Sequence, residues 1–214
     1  MNPLLFACLA LGLGAPPPPA PAPQPTTSDL HGDVDGDGRP DVLRFAGDAA
    51  GAHAVLSLER GRGAAWASPV YPAWKAALGP LERGAPALVV LGIWTTKHRH
   101  PGPAIQRTVW VLGWDATSDH MVERWRGSAL ARPFDDFSVG DLDGDGQAEL
   151  LVLEHATSCQ LAAYRWQGFG FTGLGKGPVA CAARLCDDGS ACVDSDGRRR
   201  RVRLAHHRLS LEDP

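Results

Sequence analysis

The sequence predicts an all-β protein, and three observations lead to this prediction. Short runs of apolar and β-branched residues recur along the chain, at intervals of roughly 50 residues. Turn-forming residues separate these runs, since the 214 residues include 25 Gly and 18 Pro. The only segment with a helical pattern, residues 70–81, contains Pro72 and Pro80, which limit a helix there to a couple of turns. Short strands joined by turns are therefore favoured throughout.

The composition excludes several classes of protein. The chain has 21 basic and 24 acidic side chains and a formal net charge of −3, whereas a dedicated nucleic-acid binder would be strongly basic. Seven Trp and a hydrophobic fraction of 44% argue against a disordered acidic chain. No uncharged apolar run reaches the roughly 18 to 20 residues that a membrane-spanning helix needs. A folded domain without a membrane span is expected.

The N-terminal residues 1–28 differ from the rest of the chain, because Asp29 is the first charged residue. Leu4–Leu13 is apolar and has the length of a signal-peptide core, so residues 1–15 are predicted to be a signal peptide. Lipid attachment at Cys8 is an alternative, because Cys8 and the three residues before it faintly resemble a lipoprotein acylation box. Both interpretations predict a protein outside the cytoplasm, either secreted or periplasmic.

After the predicted signal peptide, the chain divides into a linker and a folded domain. Residues 16–28 are rich in Pro and are expected to form a stiff, extended linker with no packing face. The folded domain is predicted to span residues 29–214, with a Cys-rich C-terminal part.

The folded domain contains four cysteines, all in the last quarter of the chain. They are Cys159, Cys181, Cys186 and Cys192. Their spacing lacks the paired CxxC pattern of a zinc ribbon, and an even number favours two disulfide bonds in an oxidising compartment. Three pairings are compatible with the sequence, and buried free thiols are the alternative to disulfides.

The apolar runs form two sets that alternate along the chain. The first set comprises Val42–Phe45, Leu88–Leu91, Leu150–Leu153 and Arg201–Leu204. The second set comprises His53–Leu58, Thr108–Leu112 and Leu161–Trp166. A unit of about 50 residues has the size of one propeller blade, which is a four-stranded sheet. The sequence therefore predicts a β-propeller-like array of three to four blades, either closed as a ring or incomplete and open to self-association.

Two acidic segments have nearly the same plan, and we call residues 33–41 loop 1 and residues 141–149 loop 2. Each has carboxylates at positions one, three, five and nine and Gly at positions four and six. The carboxylates are those of Asp33, Asp35, Asp37 and Asp41 in loop 1 and of Asp141, Asp143, Asp145 and Glu149 in loop 2. Carboxylates converging within ~4 Å repel each other by about 1 to 4 kcal/mol per pair, so the pattern predicts a hard cation. A flexible all-oxygen cage suits Ca²⁺ better than Mg²⁺.

A solvated turn and an EF-hand are the other interpretations of the loops, and the sequence favours neither. A single loop of this kind could be a solvated Asp-Gly turn, but two copies, each followed at once by a strand signal, favour a metal site. Neither loop is an EF-hand, since the twelfth positions are Arg44 and Val152 rather than Glu, and no helix is expected after them.

The two loops and the strands that follow them resemble the FG-GAP/VCBS repeat family, over roughly Asp29 to Leu174. This resemblance implies integrin-like propeller blades that bind calcium through the eight carboxylates and the backbone carbonyl groups of Arg39 and Gln147. The chain departs from the family pattern in having Glu149 at position nine, no acidic loop in the middle repeat, and only a remnant at Asp194–Gly197.

Three functions of different classes are consistent with these features. We expect a secreted, non-catalytic calcium-binding domain that acts in extracellular binding or adhesion, with an unknown protein or glycan as its ligand. The first alternative is an accessory subunit that supports another protein. The second is a polysaccharide hydrolase, which ranks last because the sequence has no GxSxG, HExxH or P-loop motif.

Overall fold

The computed structural model describes residues 26–61, 65–96, 105–127, 130–155, 158–179, 181–186, 191–195 and 197–213. The predicted signal peptide, Cys8 and most of the predicted linker lie outside these ranges. The described residues contain sixteen strands and no helix, which confirms the all-β prediction. Accordingly, they include no helix long and apolar enough to cross a membrane.

The strands follow one another in four groups of four, which we call meanders 1 to 4. Meander 1 comprises β1 (Thr26–Gly32), β2 (Asp41–Gly47), β3 (Ala54–Glu59) and β4 (Ala65–Ala67). Meander 2 comprises β5 (Ala73–Gly79), β6 (Leu88–Thr95), β7 (Gln106–Asp115) and β8 (His120–Arg126). Meander 3 comprises β9 (Phe134–Gly140), β10 (Glu149–His155), β11 (Cys159–Trp166) and β12 (Phe171–Pro178). Meander 4 comprises β13 (Arg184–Leu185), β14 (Cys192–Ser195), β15 (Arg198–Ala205) and β16 (Arg208–Glu212).

Within each meander, consecutive strands pair antiparallel. Meanders 1 and 2 are separate four-stranded sheets, whereas meanders 3 and 4 join into one eight-stranded sheet. The junction is a parallel pairing of β12 with β16 at Lys176 and Arg208. Two glycines of β12 permit the close approach, since a Cβ atom at Gly177 would lie 2.4 Å from the carbonyl oxygen of Leu209.

The hydrophobic core consists of three clusters, each between two successive meanders. The cluster between meanders 1 and 2 includes Phe45 and Leu91, and the cluster between meanders 2 and 3 includes Val111 and Phe137. The third cluster includes Leu151 from meander 3 and Val193 from meander 4. Burial between successive sheets explains why β6 and β10 are apolar on both faces rather than alternating.

The first strands of the four meanders face a common cavity of about 390 Å³. It is lined by residues of β1, β5, β9 and β13, including Ser28, Lys75, Asp136 and Arg184. The Lys75 ammonium lies 2.8 Å from Asp136 Oδ1, and Asp136 Oδ2 accepts a hydrogen bond of 3.0 Å from the backbone N–H of Leu185. Asp136 therefore connects meanders 2, 3 and 4 next to this cavity.

The helical pattern of residues 70–81 proved misleading, because β5 occupies this segment. Its small residues permit close packing against meander 3, since a Cβ atom at Gly79 would lie 2.6 Å from Val139 Cγ1. Ala76 and Ala77 are both buried by neighbouring meanders, and sheet packing therefore overrides the helix propensity of alanine.

Two disulfide bonds are present, as the cysteine count predicts. Cys159 of β11 is bonded to Cys181, which precedes β13, so this bridge ties meander 3 to the start of meander 4. Cys186 and Cys192 are bonded across the turn between β13 and β14. The pairing that the sequence left open is thus Cys159–Cys181 with Cys186–Cys192, and it is compatible with an extracytoplasmic location.

Candidate metal centre

Loops 1 and 2 occupy the same place in their meanders, between the first and the second strand. Four glycines at positions four and six have positive φ angles, of 80° at Gly36, 81° at Gly38, 80° at Gly144 and 84° at Gly146. Only glycine adopts this conformation without strain, so the two loops turn in the same way. The corresponding turn of meander 2, residues 80–87, has one carboxylate, that of Glu82.

The first Asp of each loop organises its turn. Asp33 accepts hydrogen bonds from the backbone N–H groups of Gly36 (2.8 Å) and Gly38 (3.0 Å). In loop 2, Asp141 accepts the equivalent bonds from Gly144 (2.7 Å) and Gly146 (2.9 Å). Burial opposes the charge of Asp141, but these backbone donors outweigh it and lower the pKa of the carboxyl group.

The loops bring together most of the predicted ligands. Carboxylate oxygens of Asp33, Asp35 and Asp37 lie within 4.8 Å of one another in loop 1. In loop 2 the corresponding group consists of Asp141, Asp143 and Glu149. Asp41 and Asp145 are not members of these groups of three.

The carboxylate of Asp41, at position nine of loop 1, is buried and only half satisfied. Asp41 is 1% exposed, and its Oδ2 accepts hydrogen bonds from the backbone N–H groups of Val34 (2.9 Å) and Asp35 (3.3 Å). Its Oδ1 is buried without a hydrogen-bond donor among the described residues. Such an oxygen carries a desolvation cost of about 1 to 3 kcal/mol or more. The nearby charge of Arg60 interacts with Asp41 but supplies no hydrogen bond to its Oδ1.

Glu149, at position nine of loop 2, is fully buried and fully satisfied. Its Oε2 accepts a hydrogen bond of 3.0 Å from the backbone N–H of Leu142. Its Oε1 accepts a bond of 3.0 Å from Arg165 Nε and a second from Arg165 Nη2. Burial raises the pKa of Glu149, whereas the N–H of Leu142 and the guanidinium of Arg165 lower it and so offset part of that effect.

The guanidinium group of Arg165 contacts three of the four carboxylates of loop 2. Besides Glu149, its Nη2 atom lies 2.9 Å from Asp143 Oδ2 and 3.3 Å from Asp145 Oδ2. A second guanidinium group, that of Arg83 in the β5–β6 turn, lies 2.8 Å from Asp145 Oδ2. Cations of the chain itself therefore compensate part of the negative charge of loop 2.

Arg60 is the counterpart of Arg165 in meander 1. Glu59 pairs with Val42 of β2, and Arg60 is the next residue. In the same way, Tyr164 pairs with Leu150 of β10, and Arg165 is the next residue. However, the closest contacts of Arg60 are with meander 2: its Nη1 lies 2.7 Å from Asp119 Oδ1, and its guanidinium carbon lies 4.4 Å from the ring centroid of Trp114. The carboxylates of Asp119, Asp35 and Asp41 raise the pKa of Arg60, and its Nε is buried without a hydrogen-bond acceptor among the described residues. Its contact with loop 1 is a longer one, of 3.9 Å from Nη1 to Asp35 Oδ2.

The backbone N–H groups of the position-seven residues, Arg39 and Gln147, are hydrogen-bonded within their loops. That their carbonyl groups act as ligands stays a prediction. The N–H of Arg39 donates to Asp37 Oδ1 (2.9 Å), and that of Gln147 donates to Asp145 Oδ1 (2.8 Å). The side-chain amide of Gln147 also donates to the carbonyl oxygen of Leu81 at 2.7 Å, and the N–H of Ala87 donates to the carbonyl oxygen of Asp33 at 2.7 Å. Both loops therefore pack against the β5–β6 turn of meander 2.

Sequence reasoning missed Arg60, Arg165 and Asp119. A lone Arg in a strand carries no metal-site signal, and its relation to the loop depends on the strand register. An alignment of the two repeats could have found Arg60 and Arg165, because each lies at the same position relative to the pairing of the second and third strands of its meander.

In comparison with known proteins, no family model and no curated protein matches this chain.

Proposed function

We propose that this chain is an extracytoplasmic calcium-binding module of the β-propeller type, which resembles FG-GAP/VCBS repeats and acts in binding or adhesion without catalysis. The observation that carries the proposal is the buried, unpartnered Oδ1 of Asp41 beside the three converging carboxylates of loop 1. A cation is the partner that this arrangement lacks.

The donor set of loop 1 fits calcium. Asp33, Asp35 and Asp37 form the cluster with hard oxygen donors, and no sulfur or imidazole ligand belongs to it. Asp41 would add a fourth carboxylate. Calcium accepts six to eight oxygen ligands in flexible geometry, whereas magnesium requires a near-ideal octahedron and retains water. The carbonyl group of Arg39 would add one donor. When bound, the ion would neutralise these carboxylates and hold the turn between β1 and β2.

Several features support a four-bladed propeller arrangement. Four consecutive antiparallel meanders pack with their apolar faces against one another, and the first strand of each faces one cavity. The stacking of four-stranded sheets around an axis is typical of propellers. The single parallel pairing between β12 and β16 is the departure from that plan, because separate blades share no strand pairing.

A binding role follows from the architecture rather than from an identified ligand. Propellers present loops at both ends of a rigid scaffold, and calcium in such a loop stiffens the surface that it belongs to. An unknown protein or glycan is the proposed ligand, and an accessory role in support of another chain is the alternative. Glycan-array binding with and without calcium separates the two.

Calcium titration of the purified protein tests the metal proposal. We expect binding with a dissociation constant on the order of 10⁻⁴ to 10⁻³ M, as in extracellular modules. At tenfold excess over that constant, the free energy of unfolding should rise by about 1.4 kcal/mol. Magnesium should restore the melting temperature poorly after chelation.

Substitutions localise the effect. D33N and D41N should abolish calcium-dependent stabilisation, whereas E59Q, an equivalent charge change at an exposed site of the same meander, should preserve it. A wild-type protein that shows no calcium binding at several millimolar in calorimetry would refute the proposal.

A further inference from the structure

The two acidic loops differ at one oxygen atom. In loop 1, Oδ1 of Asp41 is buried without a donor, whereas in loop 2 the oxygen in the same role, Oε1 of Glu149, accepts two N–H groups of Arg165. We propose that Arg165 is a built-in cation that takes the place of calcium in loop 2, so that the chain binds a single calcium ion, in loop 1. This inference rests on the proposed function and deepens it.

The guanidinium of Arg165 already satisfies the carboxylates that calcium would need. It reaches Asp143, Asp145 and Glu149, and its ion-pair partners among the described residues are all carboxylates of loop 2. Calcium requires its oxygen ligands at about 2.3 to 2.6 Å, so an ion in loop 2 would have to take these oxygens from Arg165. The two like charges would also stand within a few ångströms of each other, where they repel strongly.

The length of the side chain at position nine favours Arg165 over calcium as the cation of loop 2. Glu149 is one methylene longer than Asp41, and its Oε1 meets the guanidinium edge through both Nε and Nη2. Both N–H groups converge on this one oxygen, and hydrogen bonds between two charged groups are stronger than those between neutral ones.

Arg60 does not take the same place in loop 1, because two groups of meander 2 hold it. Asp119 accepts hydrogen bonds from Nη1 (2.7 Å) and Nη2 (3.2 Å), and the guanidinium stacks on the ring of Trp114. Arg60 thereby leaves Oδ1 of Asp41 without a donor. The difference between the loops is therefore made by the surroundings of two equivalent arginines.

Calcium stoichiometry of the full chain tests the inference, measured by calorimetry and by equilibrium dialysis with metal analysis. We expect one ion per wild-type chain and two per chain for R165Q, since this substitution frees Glu149 and Asp143 and leaves Asp145 paired with Arg83 alone. The matched variant R60Q should still bind one ion. Circular dichroism reports whether each variant is folded.

Paired substitutions at position three provide a second readout that does not require R165Q to fold. D35N should lower the calcium affinity of the wild-type site at least tenfold, whereas D143N should leave the titration unchanged. Three results would each overturn the inference: two ions bound to the wild type, an R165Q protein that still binds one ion, or equal effects of D35N and D143N. The proposed function as a calcium-binding module would survive any of them. Absence of any calcium binding to the wild type would instead refute the proposed function.

Discussion

The two disulfide bonds should contribute unequally to stability, because they close loops of different length. The bridge between Cys159 and Cys181 spans 22 positions, and the bridge between Cys186 and Cys192 spans six. The chain-entropy relation for cross-linked unfolded chains gives about 3.4 kcal/mol for the longer loop and about 2.2 kcal/mol for the shorter one. Removing the longer bridge should thus cost about 1.2 kcal/mol more.

A thermodynamic cycle separates this contribution from the packing of the sulfur atoms. One double variant replaces Cys159 and Cys181 by Ala, and the other replaces Cys186 and Cys192. The free energy of unfolding in urea is measured for each variant and the wild type, with and without reductant. Without reductant, a variant differs from the wild type by one bridge and by the packing of two sulfur atoms. With reductant, it differs by the packing alone. The difference between these two changes in unfolding free energy is therefore the contribution of the bridge. A shorter bridge that contributes as much as the longer one would refute the reasoning, as would four free thiols in native protein on mass spectrometry.

Two further predictions concern the packing between meanders and the calcium loop. G92A should destabilise the fold by about 1 to 3 kcal/mol in urea unfolding, because a Cβ atom there would lie 2.6 Å from Trp74 Cε2 and 2.7 Å from Phe137 Cε1. G173A, whose nearest neighbour would be Tyr164 at 3.8 Å, serves as the control, and equal costs would contradict the packing argument. D119N should release Arg60 toward loop 1 and weaken calcium binding several-fold in calorimetry, while an unchanged affinity would show that Arg60 does not compete.

The sequence predicted the second and third strands of the first three meanders but none of the first strands. The recognised strands, such as β6 and β10, pack between two sheets and are therefore nearly continuous apolar runs. The first strands β1 and β9 carry polar residues, among them Asp136, because they lie beside a common cavity. In β1 only Leu30 is buried, so this strand has no hydrophobic pattern to recognise.

In the fourth meander the sequence predicted only β15. β15 was recognised from its alternating residues, but β13 has two residues and β14 has four, too few for a periodic signal. The disulfide between Cys186 and Cys192 holds these two strands together, and its pairing depends on the fold.

Three of the four carboxylates in each loop converge, as the spacing predicts, but position five belongs to the group in loop 1 and position nine in loop 2. The Asp and Gly residues repeat at identical positions, and the positive φ angles confirm that both loops turn alike. What the spacing could not reveal is the charge supplied from other strands. Arg165 reaches loop 2 only through the pairing of β10 with β11, and Arg60 is held away from loop 1 by a residue of another meander.

The two loops contact meander 2 in similar ways but differ in how their charge is compensated. Both pack against the β5–β6 turn, loop 1 through the hydrogen bond from Ala87 to Asp33 and loop 2 through the bond from Gln147 to Leu81. Arg165 compensates part of the charge of loop 2 at any calcium concentration. If loop 1 binds the single calcium ion that we propose, the ion would compensate the buried carboxylate of Asp41. The contact between meanders 1 and 2 would then be the part of the molecule whose stability follows the surrounding calcium concentration.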